Sequence, residues 1–310
     1  MKASVLITTR NRKEELREAL RSASAQTAQP EVLVIDDGST DGTSEMVRAD
    51  FPAVVLHRRE GSKGYIVRRN DGARLARGDV LFSIDDDAAF STSQVVEQTL
   101  REFNDPRIGA VAIPYIEPHK GNRVMQKTPD AETVWITDRF IGTAHALRRD
   151  IFLKLGGYRE HLVHQGEESD YSIRMLDAGY FVRLGNADPI LHFESPERDF
   201  RRMDFYGRRN DVLFAWHNIP LPMLPVHLLA TTCKGLHWGF KAKRPATMAW
   251  GLLCGYAACG RYFWQRRPVS RVSYRLFRHL RIAGSLSVEK VAARWADVGS
   301  VKDACPAPPD

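Results

Sequence analysis

The strongest structural signal in the chain is the stretch Asp79-Val80-Leu81-Phe82-Ser83-Ile84-Asp85-Asp86-Asp87. Its apolar centre is long enough for one buried β-strand, and three consecutive carboxylates follow. Three like charges repel one another by roughly 1 kcal/mol per pair at 4 Å even in water. A hard divalent cation removes that cost, because Mg²⁺ and Mn²⁺ prefer oxygen ligands. The stretch therefore predicts a buried strand that ends at a metal site, and a plain acidic turn is the alternative.

Apolar runs of strand length alternate with helical periodicity around this stretch, up to residue 116. This is the pattern of βαβ units around a largely parallel sheet, so the predicted fold class is α/β. We predict strands near residues 3–9, 31–36, 53–57, 79–84 and 109–116, and helices near residues 12–25, 43–50, 65–77 and 91–104. Residues 117–140 are polar and lack periodicity, which predicts a loop.

Polar clusters follow three of these strands, at residues 8–11, 36–39 and 85–87. Ligands of open α/β sheets bind at the carboxyl edge of the strands, so the three clusters predict one common site. A Gly-x-Gly-x-x-Gly motif is missing after the first strand, which argues against a dinucleotide enzyme. The segment Gly61-Ser62-Lys63-Gly64 lacks the spacing of a phosphate-binding P-loop.

Charge divides the chain into two parts. Residues 201–310 hold 18 Lys and Arg against 6 Asp and Glu, whereas residues 1–200 hold 27 against 32. The acidic part fits a metal site, and the basic part fits an anionic surface, either membrane or nucleic acid. The four cysteines show no Cys-x-x-Cys spacing, which excludes an obvious zinc site or disulfide framework.

The basic part contains an uncharged window, residues 245–260. It is shorter than the roughly 20 apolar residues of a spanning helix. Flanking aromatic and basic residues favour a segment that lies on a membrane, and a helical hairpin packed on the protein's own sheet is the alternative. Nucleic acid is a weaker partner, because the aromatic residues stand among aliphatic ones. No basic-then-apolar signal precedes the first strand, so we expect a cytoplasmic protein, peripheral at the inner membrane face.

The ordered motifs resemble those of inverting family-2 glycosyltransferases with the GT-A fold. The resemblance covers about residues 3–217, and it is carried by residues 5–12, 34–41, 69–72, 78–87, 156–158, 166–170 and 191–192. It implies a catalytic domain over residues 1–217, with a nucleotide-binding half (1–116) and an acceptor half (117–217). A helical, basic region (218–303) and a disordered tail (304–310) would follow.

The resemblance also implies roles for individual residues. Thr8, Arg10 and Asp37 would contact the nucleotide, and Asp85 and Asp86 would lie near the ribose and the diphosphate. Mg²⁺ or Mn²⁺ would be held by Asp87 and His192.

The catalytic base departs from the family pattern. Relatives usually carry Gly-Glu-Asp at a helix start, whereas this chain has Gly166-Glu167-Glu168. A Glu can accept the same proton, although its extra methylene moves the carboxylate by about one bond length. We predict Glu168 as the base, ahead of Glu167, with Asp170 as the third candidate.

The predicted reaction is metal-dependent, inverting transfer of one sugar from a nucleoside-diphosphate sugar to an acceptor hydroxyl. The acceptor would be a glycan, a lipid-linked precursor or a small molecule, in cell-surface glycan or polysaccharide synthesis. The Gln-x-x-Arg-Trp motif of processive relatives is missing. Two alternatives are a sugar-1-phosphate nucleotidyltransferase and a membrane-associated protein that binds nucleotide sugars without catalysis.

Overall fold

The computed structural model describes residues 1–193 and 199–299. Its strands are β1 (Ala3–Thr9), β2 (Glu31–Asp36), β3 (Val55–Arg58), β4 (Val80–Asp85), β5 (Ala88–Phe90), β6 (Ile108–Ala112), β7 (Tyr115–Ile116), β8 (Val124–Met125), β9 (Trp135–Thr137), β10 (Ala144–Arg148), β11 (Phe181–Leu184), β12 (Ile190–His192) and β13 (Leu286–Ser287). Its helices are α1 (Lys13–Ser24), α2 (Thr43–Asp50), α3 (Tyr65–Leu75), α4 (Val95–Arg101), α5 (Arg149–Lys154), α6 (Glu167–Asp177), α7 (Phe200–Asn218), α8 (Leu224–Lys241), α9 (Pro245–Arg261), α10 (Arg271–Ala283) and α11 (Val288–Gly299). The predicted tail, residues 304–310, lies outside the described residues.

The strands form two sheets. The larger sheet has the order β13-β9-β11-β6-β10-β4-β1-β2-β3, and the smaller has the order β5-β12-β7-β8. Strands β4, β1, β2 and β3 are parallel neighbours, whereas β10 runs antiparallel to both β4 and β6. The predicted α/β class is confirmed.

Helices cover both faces of the larger sheet because its central strands are apolar on both sides. In β1, Val5 and Ile7 belong to one buried cluster with Leu16 of α1. Leu6 points to the opposite face, where it packs with Ile66 of α3. Alternate residues of a strand face opposite sides, so a continuous apolar run requires helices on both.

The predicted strand near residues 109–116 is divided between the two sheets. Strand β6 lies in the larger sheet and β7 in the smaller one, with Ile113 and Pro114 between them. A proline cannot donate to a strand ladder, so the chain changes sheets there. The expectation that residues 117–140 are only a loop is wrong, because this segment contains β8 and β9, and β9 belongs to the larger sheet.

The region after residue 217 packs against the preceding part of the chain. Strand β13 pairs with β9 at the edge of the larger sheet. Helix α9 lies directly against α7, where a Cβ on Gly251 would come within 2.5 Å of the Phe205 carbonyl oxygen. Within the described residues, no helix has both the length and the apolar character needed to cross a bilayer.

Candidate active site

A cleft of about 640 Å³ opens at the carboxyl ends of β1, β2 and β4, and the first turns of α6 and α7 border it from the other side. The site residues predicted from the sequence that line it are Thr8, Arg10, Asp37, Asp85, Asp86, Asp87, Glu167, Glu168 and His192. Parallel register explains this convergence, because Thr8 of β1 is paired with Asp85 of β4. Asp170 does not border the cleft.

Asp85, Asp87 and His192 form a group able to hold a metal ion. Each offers one ligand atom, and these atoms lie within 4.8 Å of one another. The smaller sheet brings His192 there, since β12 pairs with β5 and sets His192 opposite Ala88. The sequence assigned Asp85 to the donor, whereas the structure places it beside Asp87. The available signal in the sequence was that Asp85 stands only two residues before Asp87.

The donor atoms of this group fit a small divalent cation, because carboxylate oxygens and one imidazole suit Mg²⁺ or Mn²⁺. The buried Nδ1 of His192 has no hydrogen-bond partner among the described residues, and its Nε2 lies 3.4 Å from Asp87 Oδ1. Although burial opposes a charge, the Asp87 and Asp85 carboxylates raise the pKa of His192.

Asp86 has a different environment from its neighbours. Its side chain is buried, and burial followed by the charge of Asp87 raises its pKa to about 7, against the opposing charge of Arg12. Arg12 Nη1 lies 2.6 Å from Asp87 Oδ2 and 3.4 Å from Asp86 Oδ1. Without a bound cation, the Arg12 guanidinium therefore neutralises part of the negative charge of Asp86 and Asp87.

Asp37 organises the neighbouring loop. One carboxylate oxygen accepts hydrogen bonds from the Lys63 amide (2.9 Å) and Arg68 Nε (2.6 Å), and the other accepts from Ser62 Oγ (2.5 Å) and the Gly64 amide (2.9 Å). Although burial opposes ionisation, these hydrogen bonds lower the pKa of Asp37. The carboxylate thus holds the 62–64 loop against the cleft, where Asp37, Ser62 and Gly64 form part of the wall.

Arg69 is the central residue that sequence reasoning did not assign to the site. Its guanidinium is buried, and Nη2 lies 2.6 Å from Asp85 Oδ1 and donates to the Gly142 carbonyl oxygen at 3.1 Å. Nη1 donates to Glu167 Oε1 at 3.3 Å, and the Tyr65 ring stacks 4.8 Å from the guanidinium carbon. One cation therefore connects the end of β4 to the start of α6.

The two acids at the start of α6 occupy different environments. Glu167 is fully buried, and its Oε2 accepts from the Tyr65 hydroxyl at 3.2 Å. Burial and then the charge of Glu168 raise the pKa of Glu167, against the pull of Arg69. Glu168 is half-buried in the cleft wall, and its Oε1 lies 2.9 Å from the point where a Cβ on Gly142 would stand.

Asp170, the third predicted acid, is buried in α6 and does not line the cleft. It forms ion pairs with Arg159 and with Arg174 (3.1 Å), and Asn218 Nδ2 donates to it at 2.8 Å. Although burial opposes the charge, Arg174 and Arg159 lower its pKa. These contacts tie α6 to α7, and they leave Glu167 and Glu168 as the predicted acids beside the cleft.

The sequence is similar to a known family and to several of its members. The glycosyl transferase family 2 profile matches residues 4–159. The O-antigen chain rhamnosyltransferase WbaN of Salmonella anatum is 24% identical, over 69% of this chain and 82% of its own. The glucosyl-dolichyl phosphate glucuronosyltransferase of Haloferax volcanii is 28% identical over 59% of this chain, which spans 63% of that relative's length.

A solved structure shares the fold. The mannosyltransferase PcManGT of Pyrobaculum calidifontis, in complex with GDP-Man and Mn²⁺, superposes with a TM-score of 0.55 at 20% identity. The match covers 90% of this chain and 79% of that one. The family profile, which covers half of the sequence, favours glycosyl transfer over the nucleotidyltransferase alternative. The chain belongs to glycosyl transferase family 2 and is a glycosyltransferase with the GT-A fold.

Proposed function

We propose that this enzyme transfers one sugar from a nucleoside-diphosphate sugar to an acceptor hydroxyl with inversion at the anomeric carbon, and that it requires Mg²⁺ or Mn²⁺. The observation that carries the proposal is one cleft lined both by the Asp85, Asp87 and His192 group and by Glu168. A bound divalent cation would neutralise charge on the donor diphosphate.

The side chains of the cleft would divide the chemistry between them. Thr8, Arg10 and Asp37 line the cleft, and the nucleoside is proposed to bind beside them. Arg202, from the first turn of α7, adds a cation for the phosphates. Glu168 would accept the acceptor hydroxyl proton as the new bond to the anomeric carbon forms and the bond to the diphosphate oxygen breaks. One displacement of this kind inverts the configuration.

The acceptor is proposed to be a lipid-linked glycan precursor at a membrane surface. The names of the two relatives support this, since one is an O-antigen chain rhamnosyltransferase and the other acts in glucosyl-dolichyl phosphate chemistry. The enzyme would then be a cytoplasmic protein in peripheral contact with the membrane, in cell-surface polysaccharide synthesis.

Release of nucleoside diphosphate from a panel of nucleotide sugars, with Mn²⁺, Mg²⁺ or EDTA, tests the reaction. Asp87→Ala should abolish the metal-dependent turnover. Glu168→Gln should lower kcat by roughly 100-fold or more, while the donor still raises the melting temperature as in the wild type. Glu18→Gln, an identical change on the exposed face of α1, is the control. Normal turnover in Glu168→Gln would remove this residue from the role of base.

A further inference from the structure

Helices α8 and α9 form a hairpin whose inner face contains four glycines. Gly235 and Gly239 of α8 and Gly251 and Gly255 of α9 are buried. A Cβ on Gly255 would stand 2.8 Å from Val212 Cβ, and one on Gly235 would stand 3.2 Å from Leu252 Cδ1. The glycines therefore bring both helices close to their neighbours in the protein.

The outer face of the hairpin is apolar and exposed. On α8 it consists of Val226, Leu229, Cys233, Leu236 and Phe240; on α9 and the turn that follows it consists of Trp250, Leu253, Ala257, Gly260 and Trp264. The steps of three and four residues place each set on one side of its helix. The exposed fractions reach 72% for Val226, 71% for Phe240 and 85% for Trp264. An exposed apolar surface of this kind usually marks an interaction site.

Basic residues border this outer face at both ends. Lys241 and Lys243 are exposed at the turn between the helices, and Arg261 and Arg267 are exposed after α9. Between Asp211 and Glu289 the sequence holds eleven Lys and Arg and no Asp or Glu. Tryptophan and tyrosine beside an apolar stripe, with cations at its edges, suit the interface of an anionic bilayer.

Charge distinguishes a bilayer from a second copy of this chain. A two-fold contact would press the same surface against itself. Since this region carries no carboxylate, the basic edges of the two copies would meet without a counter-charge. An anionic lipid surface supplies that counter-charge and also covers the apolar residues.

The hairpin turn lies next to the active site. Arg244 forms an ion pair with Asp204, and its guanidinium carbon lies 4.9 Å from the centre of the Phe200 ring. Phe200 begins α7, and Arg202 and Met203 of the same turn line the cleft. A surface in contact with this outer face would therefore lie close to the cleft.

We propose that the outer face of the α8–α9 hairpin docks on an anionic phospholipid bilayer and holds the cleft at the membrane surface. Use of a lipid-linked acceptor there rests on the proposed function, whereas the docking itself does not.

Sedimentation with vesicles tests the docking. The full chain should bind phosphatidylcholine vesicles that contain 30% phosphatidylglycerol, bind pure phosphatidylcholine at least roughly tenfold more weakly, and lose affinity as salt rises. The double variant Trp250→Ser/Leu253→Ser should bind the anionic vesicles at least roughly tenfold more weakly. Leu75→Ser, an exposed leucine of α3 outside the hairpin, should bind like the wild type.

Two further measurements separate the outcomes. Lipids brominated in their acyl chains should quench the tryptophan fluorescence of the wild type more than that of Trp250→Phe, which stays apolar. Nucleotide release without vesicles should be equal in wild type and double variant, which shows that the variant is folded. Absence of that release in the wild type would count against the proposed function and not against docking. The proposal would be overturned if the double variant bound the vesicles as well as the wild type does. It would also be overturned if the wild type did not bind vesicles and instead formed a dimer that the substitutions dissociate.

Discussion

Arg12→Gln should make the protein bind Mn²⁺ more tightly in the absence of donor. The Arg12 guanidinium lies 2.6 Å from Asp87 Oδ2 and also approaches Asp86, so it neutralises the carboxylates that a divalent cation would use. Removal of this positive charge leaves the carboxylates with a larger uncompensated charge. A residue with only a structural role would have the opposite effect, because its loss would weaken metal binding.

The magnitude follows from the spacing. Two unit charges 4 Å apart interact by about 1 kcal/mol in water, so a divalent ion that shares Asp87 with Arg12 would be repelled by about 2 kcal/mol at that distance. The Arg12 side chain is 36% exposed and can turn away, and salt screens the pair. We therefore expect a net gain of about 1 kcal/mol, or roughly fivefold in Mn²⁺ affinity.

Titration of the protein with Mn²⁺, followed by the electron paramagnetic resonance signal of the free ion, measures this affinity directly. The control is Arg17→Gln on α1, whose guanidinium pairs with Glu14 and Asp50 and does not line the cleft. Turnover should nevertheless fall in Arg12→Gln. In the wild type, a guanidinium that the metal ion displaces from Asp87 would be available to the donor phosphates, and Gln cannot replace it. Unchanged or weaker Mn²⁺ affinity in Arg12→Gln would refute the reasoning.

Two other positions give separate tests. Gly142→Ala should lower kcat by roughly tenfold or more, because the added Cβ would stand 2.9 Å from Glu168 Oε1 and 3.0 Å from Arg69 Nη1. Steady-state kinetics check this, and a normal kcat would contradict it. Burial, and then the charge of Arg69, lowers the pKa of His145 from 6.5 to about 3. The unfolded chain therefore binds a proton below pH 6.5 that the folded protein excludes, and the unfolding free energy should fall by about 2 kcal/mol between pH 7 and pH 5 from this residue. Urea unfolding at both pH values should show a smaller decrease in His145→Gln, and parallel decreases would contradict the assignment.

The convergence of the three polar clusters could be predicted from sequence because it depends on local pattern and one topological rule. The runs before Asp37 and Asp85 are apolar enough to be buried strands, and parallel strands end at the same edge. The third strand, predicted near residues 53–57, lies at Val55–Arg58. Local pattern was sufficient for the strands before Asp37 and Asp85 because each is a mostly apolar run of strand length.

Contacts between distant parts of the chain could not be predicted in this way. Arg69 stands in the run Arg68-Arg69-Asn70, and its partner Glu167 is 98 residues away. No periodicity identifies a buried guanidinium, since a charged residue in a helix usually faces solvent. Strand β9 was missed for a similar reason, because its three residues have no pattern of their own and are ordered by β11 and β13.

The substitution of Glu for the usual Asp at position 168 is compatible with catalysis in this cleft. Glu167 cannot easily serve instead, because it is fully buried between Arg69 and the Tyr65 hydroxyl and burial favours its protonated form. The longer side chain of Glu168 needs space, and Gly142 supplies it by having no Cβ. Since Asp is one methylene shorter, Glu168→Asp should restore part of the turnover that Gly142→Ala removes. A double-mutant cycle measures this coupling, and strictly additive losses would show that the two residues do not share that space.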